Sequence, residues 1–115
     1  MKLIIAFCVF AMPALADPPV IEQVNARQDG ASWAFDVTLS HADTGWDHYA
    51  DGWRVLDMDG NELGLRVLHH PHVNEQPFTR SLGNVSVPEN AAQVQIQARC
   101  SVDGWADTTT VVLLK

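Results

Sequence analysis

The five histidines of this 115-residue chain all lie between His41 and His72, and three of them occupy positions 69, 70 and 72. Imidazole is the commonest metal ligand in proteins, and it is also the side chain that titrates nearest to neutral pH. The clustering therefore favours metal coordination first, with pH sensing or contact with a partner as weaker interpretations.

A metal site predicted from this clustering draws on two separate loops. His70 and His72 flank a proline that restricts the backbone between them, which lowers the entropic cost of holding both rings toward one ion. A third imidazole, from His48 or His41, would complete a site for zinc or copper(II). The predicted ligand set is His48, His70, His72, Glu75 and Asp51. The alternative is that these histidines are structural and bond to loop carbonyls and carboxylates.

A second hypothesis rests on aromatic residues in the same part of the chain. Residues 45–53 mix aromatic rings with carboxylates, a combination that suits glycans, cationic ligands or protein partners. The sequence thus leaves open an interaction module without metal, which would use Trp46, Tyr49 and Trp105. Trp53 is assigned to the core instead, because sandwich domains often bury a tryptophan on this strand.

Other chemistries have less support. A blue-copper site needs two histidines, a cysteine and a weak axial ligand, and no histidine or methionine follows Cys100, so this interpretation is rejected. Residues 57–62 resemble a calcium loop, but the position of Gly60 fits a hairpin turn better. The sequence lacks a strained nucleophile turn, a metalloprotease motif and a phosphate-binding glycine loop. We therefore predict a binding protein rather than an enzyme.

The N-terminal segment has the pattern of an export signal. Lys2 precedes an apolar run, and Ala-Leu-Ala at positions 14–16 supplies the small residues of a cleavage site. Cys8 lies inside that run rather than at the cut, so no lipid anchor is expected. We predict a signal peptide over residues 1–16 and a single periplasmic or secreted domain over residues 17–115, with no membrane insertion.

Charge restricts the partners of this domain. Fourteen acidic residues stand against seven lysines and arginines, and the formal net charge is −7. A negative surface repels nucleic acid and anionic lipid, so neither is an expected partner. The charge instead suits a metal ion or a basic periplasmic protein. Cys100 is the one cysteine after the cleavage site, which excludes an intramolecular disulfide in the exported form.

Alternating apolar residues predict an all-β fold. Residues 33–39 and 93–100 alternate cleanly between two faces, which is typical of half-buried strands and places Cys100 on the inward face. Weaker strand patterns cover residues 20–26, 53–57, 62–68, 78–87 and 108–114. About seven short strands without a helical period indicate an immunoglobulin-like or fibronectin type III-like antiparallel β-sandwich.

Chain reversal would bring the chemistry-bearing loops together. If successive strands are antiparallel, residues 40–50, 69–77 and 101–107 all lie at one end of the domain. The predicted ligands and the predicted partner-binding aromatic residues would then share that end, as binding loops do in immunoglobulin variable domains.

Several motifs follow one another between residues 45 and 105. They are His48-Tyr49-Ala50-Asp51 with Trp53, then Arg66-Val67-Leu68, then His70-Pro71-His72 with Glu75-Gln76-Pro77-Phe78-Thr79-Arg80. On these motifs the chain resembles a group of small exported bacterial proteins of uncharacterised function, and the resemblance covers over half of the domain. Members carry histidine at the position of Asp103, so this chain has a carboxylate where they have an imidazole. The resemblance implies export and brings no activity with it.

Overall fold

Eight β-strands make up the regular structure of residues 17–114. The computed structural model describes residues 17–114, so the predicted signal peptide lies outside the described residues. The strands are β1 Val20–Asp29, β2 Ser32–Ser40, β3 Ala50–Leu56, β4 Glu62–Val67, β5 Phe78–Val85, β6 Gln93–Cys100, β7 Gly104–Trp105 and β8 Thr110–Leu113. Residues 17–114 contain no helix, and hence none with the length and hydropathy that crossing a bilayer requires.

The strands form two antiparallel sheets, which confirms the all-β prediction. One sheet has the order β1-β2-β5, and the other has the order β4-β3-β6. Two short strands complete the second sheet, because β7 and β8 pair with successive parts of the free edge of β6. β7 is only two residues long, and no alternation can be recognised over so short a stretch of sequence.

The two sheets share one hydrophobic core. The alternation in β2 buries Phe35, Val37 and Leu39, and the alternation in β6 buries Ile96 and its apolar neighbours on the same face. Trp53 of β3 is 0% exposed at the centre of this cluster, so its assignment to the core is confirmed. Burial of each large apolar side chain stabilises the fold by roughly 1.5–3 kcal/mol.

A tight turn joins β3 to β4, as the Asp-Gly pair predicts. The carboxylate of Asp57 accepts hydrogen bonds from the backbone nitrogens of Asp59 and Asn61, at 2.9 and 2.8 Å. Gly60 has φ of +90°, a conformation that side-chain-bearing residues rarely adopt. These features describe a hairpin turn, and they leave the Asp57 carboxylate occupied by the turn itself.

The pairing registers place several strand ends at one end of the molecule, here called the upper pole. Val20 at the start of β1 lies opposite Ser40 at the end of β2, and Ala50 at the start of β3 lies opposite Cys100 at the end of β6. The loops β2–β3, β4–β5 and β6–β7 therefore all lie at this pole, as chain reversal predicts. The segment that precedes β1 joins them there.

Candidate metal centre at the upper pole

A buried carboxylate organises the upper pole. Asp43 is only 6% exposed, and its Oδ1 accepts hydrogen bonds from His41 Nδ1 at 2.5 Å and from the backbone nitrogen of Ala50 at 2.9 Å. Its Oδ2 accepts a hydrogen bond from the backbone nitrogen of His72 at 2.8 Å. Charge-assisted hydrogen bonds are strong, and a buried carboxylate requires them. Asp43 thereby ties together the β2–β3 loop, the start of β3 and the β4–β5 loop.

The ring of His41 is held in one orientation. Its side chain is fully buried, and Nδ1 donates to Asp43. Nε2 faces the backbone carbonyl oxygen of Asp17 at 2.9 Å and the carboxylate of the same residue at 3.5 Å. The carbonyl and carboxylate oxygens of Asp17 beside Nε2 are groups that would also attract a cation. A carboxylate on the far nitrogen is the usual way in which metal-binding histidines are oriented.

His48 approaches His41 from the other end of the same loop. The two ring centroids are 4.8 Å apart, and the planes are inclined at 66°. His48 Nε2 is shielded from solvent and has no hydrogen-bond partner among the described residues. Buried polar nitrogens nearly always have a partner, so this nitrogen faces a position that a ligand or ion would satisfy.

Cys100 supplies a third donor at the end of β6. Its side chain is fully buried, and its sulfur lies 3.5 Å from Asp103 Oδ2. The pKa of the Asp103 carboxyl is lowered, chiefly by a 3.1 Å hydrogen bond from the backbone nitrogen of Asp17, and further by Cys100, His48 and His41. An ionised carboxylate therefore lies at the edge of the cluster.

The three donors converge. One ligand atom each from His41, His48 and Cys100 lies within 4.8 Å of the others, and we call this cluster the His41–His48–Cys100 centre. Among residues 17–114 this is the one group of three or more such ligand atoms that lie close together. Two imidazoles and a thiolate form a donor set that zinc and copper prefer.

Of the predicted ligands, His48 is the one that belongs to this cluster. Asp51 accepts a hydrogen bond from Arg99 Nε at 2.9 Å, so its carboxylate already has a cationic partner. Glu75 is solvent-exposed and pairs with Arg80 at 3.4 Å. His70 is also exposed, and its one ring contact is with His72, at 4.9 Å between centroids. Asp51, Glu75 and His70 therefore take part in separate local interactions and do not converge with His48 on one position.

His72 has a structural environment. Its ring stacks on Phe78, with centroids 4.0 Å apart and planes inclined at 10°. Its Nε2 accepts a hydrogen bond from the guanidinium of Arg80 at 2.9 Å. A metal ion at this nitrogen would have to displace a cation, which is electrostatically unfavourable. These ring contacts are with residues of β5 and not with loop carbonyls or carboxylates, and the buried Nδ1 of His72 has no hydrogen-bond partner among the described residues.

Two histidines lie near Cys100 although none follows it in the chain. Both come from the loop before β3. The signal was present in the sequence, because Cys100 ends a strand that leads into the upper pole. Its inward alternation pointed to burial, which is confirmed, but burial and ligation are compatible.

The predicted partner-binding aromatic residues divide into two environments. Trp46 is 69% exposed, and its ring meets Tyr49 edge-on, with centroids 5.7 Å apart. Trp105 is covered by guanidinium groups, with Arg54 at 4.0 Å and Arg99 at 5.1 Å from its ring centroid. Cation–π contacts of this kind hold an aromatic ring within its own domain. Trp46 therefore remains available to a partner, and Trp105 is engaged.

Comparison with known proteins gives one informative similarity. A protein of Halomicrobium mukohataei with the description "Putative lipoprotein" is 36% identical over 98 residues, which cover 85% of this chain and 48% of that protein. The chain thus spans about half the length of this relative. No family model matches the chain. No solved structure matches it either.

Replacing Asp43 by asparagine tests the role of the buried carboxylate. The amide nitrogen of the introduced side chain cannot accept from the backbone nitrogen of His72, so a buried donor loses its partner. We expect the free energy of unfolding to fall by about 3–5 kcal/mol, as for other broken buried pairs. Urea denaturation measures this change. Asp47→Asn, in an exposed part of the same loop, should change stability by less than about 0.5 kcal/mol; equal effects would contradict the assignment.

The pKa of His72 is lowered from the usual 6.5, first by burial and then by the positive charges of Arg80 and His70, against smaller opposite effects of Glu75 and Asp43. Folding therefore favours the neutral ring. The stabilisation is fully present above the unfolded pKa of 6.5, and it is lost as the pH falls below that value.

The glutamine side chain of the His72→Gln variant cannot titrate. We therefore expect its melting temperature to fall less than that of the wild type when the pH is lowered from 7.5 to 5.5. The matched control is His69→Gln, at an exposed position of the same loop, which should leave the pH dependence unchanged. Melting curves at the two pH values give the comparison. If the melting temperature of His72→Gln falls as much as that of the wild type between the two pH values, the pH dependence does not come from the His72 ring and the prediction is wrong.

Proposed function

We propose that this domain binds one zinc or copper ion through His41, His48 and Cys100. The observation that carries the proposal is the convergence of three ligand atoms within 4.8 Å, one of them offered by a histidine whose buried Nε2 has no partner among the described residues. The orientation of His41 by Asp43 adds support, because a carboxylate on one ring nitrogen is the usual way in which metal-binding histidines are oriented.

The donor chemistry restricts the ion. Calcium and magnesium prefer sets of oxygen ligands, whereas two imidazoles and a thiolate suit zinc and copper. Tetrahedral zinc takes four ligands, and trigonal copper sites use two histidines and a cysteine with a weak axial ligand. The ionised carboxylate of Asp103 lies beside the sulfur, where it balances part of the charge of a divalent ion.

We propose binding rather than catalysis as the role of this ion. The side chains of His41 and Cys100 are fully buried, which leaves a metal at this centre little access to a substrate. A shielded ion with protein ligands on most sides is typical of structural, storage or electron-transfer sites. The sequence adds no nucleophile or general-base motif that would favour an enzyme.

Export is the proposed context of this function. The predicted signal peptide supports it, and so does the relative described as a lipoprotein, since lipoproteins are exported proteins. We propose a periplasmic or secreted domain with a free thiol, in which a bound metal would protect Cys100. The small exported proteins that share the His-Pro-His motif are proposed to be related to it.

The fold supports a more specific assignment. β4 lies beside β3, in the sheet that also contains β6 and the last strands, whereas immunoglobulin constant domains place their fourth strand in the opposite sheet. This arrangement favours a β-sandwich of the fibronectin type III kind. The loops at one end of such sandwiches commonly carry the binding site.

A second candidate function has its own supporting observation. Trp46 exposes 69% of its surface at the upper pole, and its ring contacts Tyr49 edge-on. An exposed tryptophan with an aromatic support is a common anchor for protein or glycan partners. The proposed partner is a periplasmic protein or a glycan, and metal binding would then order the loop that presents the ring.

Titration with cobalt(II), a spectroscopic substitute for zinc, tests the metal centre. We expect the exported, untagged, reduced protein to bind one equivalent and to develop an absorption band from thiolate-to-metal charge transfer. Cys100→Ser should remove the band, and His48→Ala should weaken binding by more than the roughly 10–100-fold that loss of a supporting group costs.

The matched control for this titration is His70→Ala, because His70 is an exposed imidazole of the same pole outside the cluster. This variant should bind cobalt with unchanged affinity and an unchanged spectrum. Loss of binding in His70→Ala, with binding retained in His48→Ala, would move the site to the His-Pro-His loop. Uptake no greater than that of the urea-unfolded protein would refute a folded site.

The interaction hypothesis is tested by Trp46→Ala. Because the ring is exposed, we expect the melting temperature to change by less than about 2 °C, which corresponds to a small loss of stability. Capture of a defined periplasmic partner, cross-linked and identified by mass spectrometry, should be lost in Trp46→Ala and retained in Val102→Ala, a second exposed apolar residue at this pole. Equal capture by both variants would exclude Trp46 as the anchor.

A further inference from the structure

The segment before β1 reaches the metal centre with its main chain. The backbone nitrogen of Asp17 donates to Asp103 Oδ2 at 3.1 Å, and the carbonyl oxygen of Asp17 lies 2.9 Å from His41 Nε2. Both polar main-chain atoms of one residue thus face the cluster, whereas its side chain is 57% exposed. Asp17 therefore adjoins the site through its backbone.

Two prolines hold Asp17 in this position. Pro18 fixes its own φ and restricts the preceding residue to extended conformations, so the main chain of Asp17 has few alternatives. Pro19 is buried, which anchors the segment to the body of the domain just before β1 begins. The position of Asp17 is thus a consequence of the local sequence as well as of its hydrogen bonds.

Asp17 is also the residue that follows the predicted cleavage site. Hydrolysis by a signal peptidase adds water across the Ala16–Asp17 peptide bond, which leaves a carboxyl group on Ala16 and a free amino group on Asp17. An amide nitrogen has no available lone pair, because resonance delocalises it into the carbonyl group. The new amino group has one once it gives up the proton that it carries at neutral pH, and metal binding releases this proton to solvent, so cleavage converts a nitrogen beside the metal centre from a poor ligand into a good one.

We propose that export processing completes the metal site, and that the α-amino group and the carbonyl oxygen of Asp17 bind the same ion as the His41–His48–Cys100 centre. This inference rests on the proposed function. An amine and the carbonyl of the same residue close a five-membered chelate ring on one metal ion. The uncleaved precursor lacks the amine, so the complete site exists only after export.

The test compares two proteins, each expressed as a full-length precursor, exported, and then purified without a tag. One has the natural sequence, and the other has two glycines inserted between Ala16 and Asp17. After cleavage behind Ala16, the inserted chain begins with glycine, and Asp17 keeps an amide nitrogen. Intact mass establishes the first residue of each protein. Copper(II) is the probe, with affinity measured by competition and ligation by electron paramagnetic resonance.

We expect the glycine insertion to weaken copper(II) binding at least about tenfold and to change the nitrogen hyperfine pattern, with an unchanged melting temperature of the metal-free protein. His70→Ala is the matched control, because it keeps the Asp17 amine and the three-ligand centre and removes only an exposed imidazole of the same pole. This variant should bind copper(II) as the natural protein does.

The remaining outcomes separate this inference from the proposed function. Equal affinity and equal spectra for the natural and inserted proteins would overturn the role of Asp17 and leave the three-ligand centre intact. A natural protein whose mass shows a first residue other than Asp17 would overturn it as well. Absence of copper(II) binding in both proteins would overturn the metal centre itself.

Discussion

The buried carboxylate of Asp43 is the constraint on which the upper pole depends. Three groups from three segments of the chain donate hydrogen bonds to this carboxylate: His41 Nδ1 and the backbone nitrogens of Ala50 and His72. A buried charge that binds its own loop, the next strand and a distant loop leaves those segments little freedom to move independently. The orientation of His41, and with it the geometry of the candidate centre, follows from this arrangement.

Much of the fold follows from patterns that are visible in the sequence. The alternation in β2 and β6 identifies the inward faces, because a half-buried strand must place apolar side chains on every second residue. The Asp59-Gly60 turn and the reversal of successive strands then place the loops at one pole. The short strand β7 has no such pattern, and its pairing depends on the edge that β6 leaves free.

The site is less predictable, because a ligand set depends on distances of a few ångströms. His48 is the predicted ligand that lies in the His41–His48–Cys100 centre, whereas the prediction favoured His70 and His72 because they lie close together in the chain. His70 and His72 are separated by one residue and their rings lie 4.9 Å apart, but the His72 ring stacks on a core phenylalanine while His70 is exposed. His41 and His48, which lie near Cys100, belong to an earlier loop of the chain. Their distance from Cys100 in sequence does not predict the contact.

The burial of Cys100 also has a consequence for its persistence as a thiol. Oxidation to sulfenic acid requires that an oxidant reach the sulfur, and this sulfur is 0% exposed at the end of a central strand. The lifetime of the thiol would then be governed by how often the neighbouring turn opens, rather than by its intrinsic nucleophilicity. Local opening of the few residues around Cys100 would set the rate at which its thiol is oxidised.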